Sequence, residues 1–394
     1  MKIFLTAGTC LVALMMPAHA EGISDWRLGP YETEFSGLNL HVAGSAQGTA
    51  TTAFQPSAAD LNKTGVSGAA TLTADLTREY DSGMELALKT AFQLAHDRLS
   101  GDNYGNDLVQ KVYGAMRTGL GTVEVGMNDG VAYSFAITGP VVDAEVSLDN
   151  PNATFFRNPT TKRAFIEQFA LNSAVEPSYN YAKLSYYTPM LFGVRIGVSY
   201  TPSIAKDVLP FVSSGPRLAN RQESIWETAV NYRDSFGNYE VGFSGTAAFA
   251  HLDEGMRTPG HRGLADWALG LEIARPIGED MKFSLGGAYH RSNAYGFDLF
   301  EVETEGETNS AHISAKIERG PFSFGIEYGD GNAVGASGKT GVRGYQVAGG
   351  YKITDNLSAS LGWQELRYAD GAFYNGRPRI NMDAVFLHLH FEVQ

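Results

Sequence analysis

The links between strands constrain this chain more than the strands themselves do. From Gly37 onward, stretches of about ten residues alternate apolar with polar or small side chains, and turns rich in Gly, Asn and Asp break them. Phe283, Leu285, Gly287 and Tyr289 interleave with Lys282, Ser284, Gly286, Ala288 and His290. Trp267, Leu269, Leu271 and Ile273 oppose Asp266, Ala268, Gly270 and Glu272, and Val385, Leu387, Leu389 and Phe391 oppose Phe386, His388 and His390. A period of two puts each set on its own face of a strand. The pattern predicts an all-β chain of about sixteen strands, near 37–50, 66–80, 84–97, 107–119, 121–129, 180–188, 194–202, 223–234, 239–252, 263–275, 281–292, 309–318, 322–330, 342–353, 357–369 and 382–392. Short links such as Asp81-Ser82-Gly83, Ser235-Phe236-Gly237, Arg319-Gly320-Pro321 and Thr354-Asp355-Asn356 alternate with long ones at 51–65, 98–106, 203–222, 253–262, 293–308, 331–341 and 370–381, and the longest runs from Val131 to Asn180. A transmembrane antiparallel barrel needs this alternation, with short periplasmic turns at one rim and long outer loops at the other. A soluble sandwich with Greek-key connections has no reason for it.

Composition agrees by exclusion. The 394 residues carry 43 acidic side chains against 30 Lys plus Arg, a formal net charge of -13, with one cysteine. That excludes a basic nucleic-acid binder, so no nucleic acid is expected as a partner, and it excludes a disulfide-stapled domain. Mean hydropathy is -0.17, and after the first residues no apolar run reaches the ~18 that a spanning helix needs. Barrel strands escape that test, because lipid-facing and lumen-facing residues average out. At the start, Lys2, an apolar stretch from Ile3 to Met16, Pro17 and Ala18-His19-Ala20 follow the order of a secretory signal peptide over residues 1–20. Cys10 lies inside its apolar part after Gly8-Thr9, a context unlike a lipidation site. Residues 21–36 are then a short lead-in, too short for a plug, and 37–394 the barrel.

Eight strands fill a barrel with their own side chains, whereas sixteen leave a water-filled lumen. The inward positions suit hydrated walls: Thr71, Thr73, Asp75, Thr77, Lys89, Gln93, Ser199, Ser244, Ser284, Ser314, Ser323, Ser358 and Ser360. Tyr80, Tyr186, Tyr200, Trp226, Tyr232, Tyr239, Tyr345, Tyr351 and Trp363 lie near strand ends, where interfacial rings are expected. The 131–180 stretch far exceeds ordinary loop length, and such loops are usually functional. Folded into the lumen it narrows the channel, with Asp143, Glu145 and Asp149 as an acidic edge and a short helix expected over Thr160–Ala170, which includes Lys162, Arg163 and Glu167.

Two segments carry a resemblance. Tyr113–Gly126 reads YGAMRTGLGTVEVG and Lys183–Pro202 reads KLSYYTPMLFGVRIGVSYTP. Placed in order around a long third outer loop, they resemble the strand pair and hairpin that flank the constriction loop of general Gram-negative bacterial porins, trimeric and sixteen-stranded, of the alphaproteobacterial type. The resemblance implies passive diffusion of small hydrophilic solutes and ions, a homotrimer among outer-membrane lipid and lipopolysaccharide, no cofactor, and an eyelet where loop acids face basic side chains of the wall. The loop acids would be Asp143, Glu145 and Asp149. Parity places His41, Lys89, Lys111, Arg117, Lys183 and Arg195 inward, with Lys89, Lys111 and Arg117 the foremost wall candidates. The chain departs from the pattern at Thr71 and Ser185, where the family often has inward arginines, and at its end, where Glu392-Val393-Gln394 follows Phe391.

No G-x-S-x-G occurs, and no phosphate or dinucleotide loop stands in a suitable context, so no enzyme is expected. His388 and His390 share a face two residues apart, a possible metal pair with no further ligand in sight. The expectation is an outer-membrane diffusion channel with a mild cation preference. A solute-specific channel and a closed structural or adhesive barrel are the alternatives.

Overall fold

The structure, a computed structural model, describes residues 30–55, 61–96, 109–150, 155–157, 170–203, 222–252, 263–293, 308–335, 338–370 and 380–393. Among the described residues, seventeen strands form one sheet. They are β1 (Tyr31–Phe35), β2 (Leu38–Phe54), β3 (Lys63–Glu79), β4 (Glu85–His96), β5 (Val109–Thr118), β6 (Gly121–Met127), β7 (Ala182–Tyr187), β8 (Val194–Ser203) and β9 (Gln222–Phe236). There follow β10 (Tyr239–Leu252), β11 (Ala265–Ile277), β12 (Met281–Ser292), β13 (Thr308–Arg319), β14 (Phe322–Gly335), β15 (Gly338–Lys352), β16 (Leu357–Asp370) and β17 (Ile380–Val393). Strands β2 to β17 pair antiparallel in chain order, and β17 closes on β2. These are the sixteen strands of the barrel.

Two expectations change. The lead-in is not plain chain: β1 pairs with β2 from Tyr31↔Val42 to Phe35↔Leu38 through a tight turn at Ser36 and Gly37, both at positive φ. It takes up the edge of β2 where β17 stops, at Val393↔Gly44. The long link at 331–341 is mostly ladder, with β14 and β15 paired as far as Gly335↔Gly338. The helix expected over Thr160–Ala170 lies outside the described residues except for Ala170.

The two faces separate as the alternation requires. Trp267, Leu269, Leu271, Ile273, Leu285, Tyr289, Val385, Leu387 and Leu389 are exposed, while Ser244, Ser284, His290 and His388, which point the other way, are buried. An exposed apolar band that encircles a closed barrel needs an apolar solvent, which places it in the outer membrane. Tyr80, Tyr186, Trp226, Tyr239, Tyr351 and Trp363 share the outer face. Some rings pair there, with centroids 4.7 Å apart for Tyr200–Trp226 and 4.9 Å for Phe322–Tyr351.

Candidate functional site

The chain leaves β6 at Met127 and enters β7 at Ala182, and the described residues between them lie on the inward face of the wall. A short helix, α1 (Val131–Phe135), starts the path. The Val131 amide donates to Ser199 Oγ on β8 (3.3 Å), that of Ala132 to Glu227 Oε2 on β9 (3.1 Å), and that of Ile137 to Ser244 Oγ on β10 (2.9 Å). Further on, the Leu148 amide donates to Glu327 Oε2 on β14 (3.0 Å), and Ser360 Oγ on β16 donates to Asp143 Oδ2 (2.6 Å). Gln47 Nε2 on β2 reaches Glu145 Oε2 (3.2 Å). Serine and glutamate at inward parity thus accept from loop amides that would otherwise be buried unpaired.

Close approach needs room as well as partners. At Gly270 on β11 a Cβ would stand 1.8 Å from the Ile137 carbonyl oxygen, and at Gly331 on β14 one would stand 1.7 Å from that of Ala170. Under the second half of the loop the wall is apolar. Val146, Leu148, Phe155, Phe156, Ala170 and Leu171 share a buried cluster with Val342, Leu366, Tyr368, Ile380, Met382, Ala384 and Phe386. The wall expected to be polar or small is hydrated only in part, because the loop covers these side chains.

The loop acids fall into different surroundings. Asp143 caps a single 3-10 turn (Ala144–Val146) by accepting from the Glu145 amide. Glu145 is exposed. Asp149 is buried, and its Oδ1 accepts from the Ser173 amide (2.8 Å) and hydroxyl (2.7 Å), tying two arms of the loop together. A cavity of about 560 Å³ lies between the 142–145 segment and the wall near the tight turns after β13 and β15.

Among the basic candidates, Lys89 pairs with Asp75 (3.1 Å) and Lys111 with Asp129 (2.6 Å), each partly exposed. Arg117 meets Glu85 at 3.6 Å beside the β5–β6 turn, with two thirds of its side chain exposed. His41 meets Glu32 of β1. Arg195, next to the β7–β8 turn, donates to the Thr188 carbonyl and lies over the Phe135 and Tyr187 rings. Lys183 is buried and donates to the carbonyls of Asn128 and Tyr179, so it fastens the two stems of the loop to each other. Only Lys89 and Lys111 therefore stand on the wall away from the tight-turn rim with side chains that solvent reaches. His388 and His390 do share a face, their rings 6.3 Å apart, and His388 Nδ1 meets Thr49 Oγ1 at 2.8 Å. Among the described residues no group of three or more His, Cys, Asp or Glu could hold a metal ion.

Several residues escaped the sequence reading. Glu227 accepts from Ala132 and Ser178, and Glu176 lies in the same stem. Burial, and then the Asp129 and Glu227 carboxylates, push the Glu176 carboxyl up to about 8. Glu176, with burial second, holds the Tyr133 hydroxyl above its usual range. Inward parity was the available signal for Glu227, Asp266, His290, His312 and Glu327, but it does not say which inward groups the loop covers.

Residues 7–371 match the Gram-negative porin family. No curated protein matches the chain. Among solved structures, OmpF of Salmonella typhi, in complex with daunomycin, has a TM-score of 0.59 at 13% identity, covering 92% of this chain and 100% of that one. An anion-selective porin from Comamonas acidovorans gives 0.54 at 11%, covering 90% and 99%. The trimer form of OmpT from Vibrio cholerae gives 0.53 at 12%, covering 89% and 99%. A closed sixteen-strand barrel, an apolar outer band and a family match over most of the sequence converge on one assignment: this chain belongs to the Gram-negative porins, non-enzymatic barrels of the outer membrane that form channels.

Proposed function

We propose that the protein is a general diffusion channel in which small hydrophilic solutes and ions are sorted by size and charge between the 131–180 loop and the facing wall. The long links then face outward and the tight turns the periplasm, and residues 1–20 direct export. The observation that carries the reading is the seating of the loop on the arc from β8 through β17 to β2, which leaves the Asp75–Lys89 pair of β3 and β4, and Lys111 of β5 with Asp129 of the loop's first stem, on the remaining stretch of wall. A fixed loop narrows a sixteen-strand lumen without closing it. Both wall lysines are matched by a carboxylate, so the exposed Glu145 leaves the passage with an acidic excess and a mild cation preference. In this reading Asp143 and Glu145 are the loop acids beside the passage, and Asp149 holds the loop in shape. The outward faces of β2 and β3 carry Gly44, Ala46, Gly48, Gly68 and Ala70, which suits close packing of protomers in a homotrimer, the form in which OmpT of Vibrio cholerae was solved.

Single-channel recording in planar bilayers, with zero-current potentials in a salt gradient, tests this. Large ohmic steps in threes with a cation-side potential are expected. Conductance that one ligand blocks saturably moves the assignment to a solute-specific channel. Silence from protein that migrates as a folded, heat-modifiable barrel overturns the channel reading in favour of a closed structural or adhesive barrel.

A further inference from the structure

Two inward histidines, His290 on β12 and His312 on β13, are both buried where the loop crosses the wall. His290 Nδ1 lies 3.0 Å from the Asn172 carbonyl oxygen, and its Nε2 lies 2.5 Å from Asp266 Oδ1 on β11. His312 Nδ1 lies 2.7 Å from the Thr138 carbonyl oxygen, and its Nε2 lies 3.3 Å from Glu327 Oε2 on β14. Each ring therefore meets an oxygen acceptor at both nitrogens: one a loop carbonyl, the other a wall carboxylate. A neutral imidazole has one N–H, so only the doubly protonated ring satisfies both contacts.

Glu327 Oε2 also accepts the Leu148 amide and its Oε1 accepts Gln346 Nε2 (2.8 Å), which leaves the proton of the pair on His312. Asn172 is held further by Ser310 Oγ of β13 (2.6 Å). From the loop side, Asp149 holds Ser173, the neighbour of Asn172, through its amide and hydroxyl. The charged groups that face the two rings are thus Asp266 from β11, Glu327 from β14 and Asp149 from the loop: three negative charges against two positive ones in a buried setting. Removing both protons leaves three carboxylates uncompensated and one acceptor without a donor at each ring.

We propose that His290 and His312 are positioning residues which, as imidazolium ions, clamp both arms of the loop to the wall, so that loss of their protons releases the loop and makes the open channel unstable at alkaline pH. The effect on current rests on the channel reading above, whereas the protonation state does not.

The test has two readouts on the full-length barrel in lipid nanodiscs or bilayers, both in a Glu176→Gln background so that Glu176 contributes no titration. Histidine-selective 15N NMR at pH 8 is expected to show at least two doubly protonated rings, and only neutral rings at that pH overturn the proposal. Single-channel records from pH 6 to 10 are expected to show brief closures rising about tenfold or more as those signals vanish, the size expected when one charge-assisted hydrogen bond per clamp is lost. His290→Gln and His312→Gln should close often at every pH and lose the alkaline step. An alkaline step that persists unchanged in the double variant overturns the proposal. If either variant fails to give a heat-modifiable barrel, the NMR of the histidine-containing protein decides. Silence of that protein at every pH overturns the channel reading instead, and the ring protonation still stands or falls by NMR.

Discussion

Gly270→Ala adds one methyl group where the loop comes nearest the wall of β11. Its Cβ would stand 1.8 Å from the Ile137 carbonyl oxygen and 2.9 Å from Ser244 Oγ. Carbon and oxygen tolerate little below 3 Å, so the loop backbone must move away from the wall by roughly 1.5 Å. That movement breaks the Ile137 amide bond to Ser244 (2.9 Å) and pulls the Thr138 carbonyl from His312 (2.7 Å). Overpacking and two lost buried hydrogen bonds together cost the seated loop about 2–6 kcal/mol, while the β10–β11–β12 ladder keeps its pairing. The barrel should still fold and show its heat-dependent gel mobility, but single-channel conductance should drop and current noise should rise. Gly245→Ala on β10 is the control: it faces outward, and its Cβ would meet Leu269 at an ordinary 3.5 Å. If both variants conduct like the parent, the loop is not held against the wall as described.

Three further outcomes are expected. Because the Glu176 carboxyl titrates near 8 in the folded stem and well below that when unfolded, its stabilisation is present at low pH and is lost as pH rises from the ordinary glutamate range through about 8. Hydrogen exchange of the stem amides, corrected for intrinsic rate, should speed up over that window in the parent and stay flat in Glu176→Gln. Glu145→Gln removes an exposed loop charge and should shift the zero-current potential toward the anion side, while an unchanged potential would place Glu145 off the ion path. Phe386→Ala removes a fully buried ring that lies 5.3 Å from that of Phe155; a loss of about 3–5 kcal/mol should loosen the loop, seen as larger and noisier currents with an unchanged circular dichroism spectrum.

The barrel was legible because the lipid-facing set and the lumen-facing set occupy alternate positions, and that parity survives even in short strands such as β6 and β7. The seat of the loop was not legible, for a physical reason visible at particular residues. Gly331-Asn332 reads as the start of a long link, yet it is ladder, and a side chain at Gly331 would meet the Ala170 carbonyl. Met382, Ala384 and Phe386 break the rule that inward means polar, since Phe155, Phe156 and Leu171 cover them. Among the candidates, a charged side chain at inward parity looked the same whether it ended at the lumen, as Lys89 does, or under the loop, as Lys183 does. Parity assigns a face, and only the loop's path decides which part of that face stays wet.

The seam of the barrel has a consequence for chain topology. β17 and β1 lie in line along one edge of β2, and between Val393 opposite Gly44 and Tyr31 opposite Val42 only two steps of β2 intervene, about 7 Å. One or two residues would bridge that gap, so a circular permutant that joins Val393 to Tyr31 and opens the chain at the long link between β10 and β11 should keep every strand pairing. The ring has no preferred origin, and the order in which its staves are synthesised can be changed without changing which stave lies beside which.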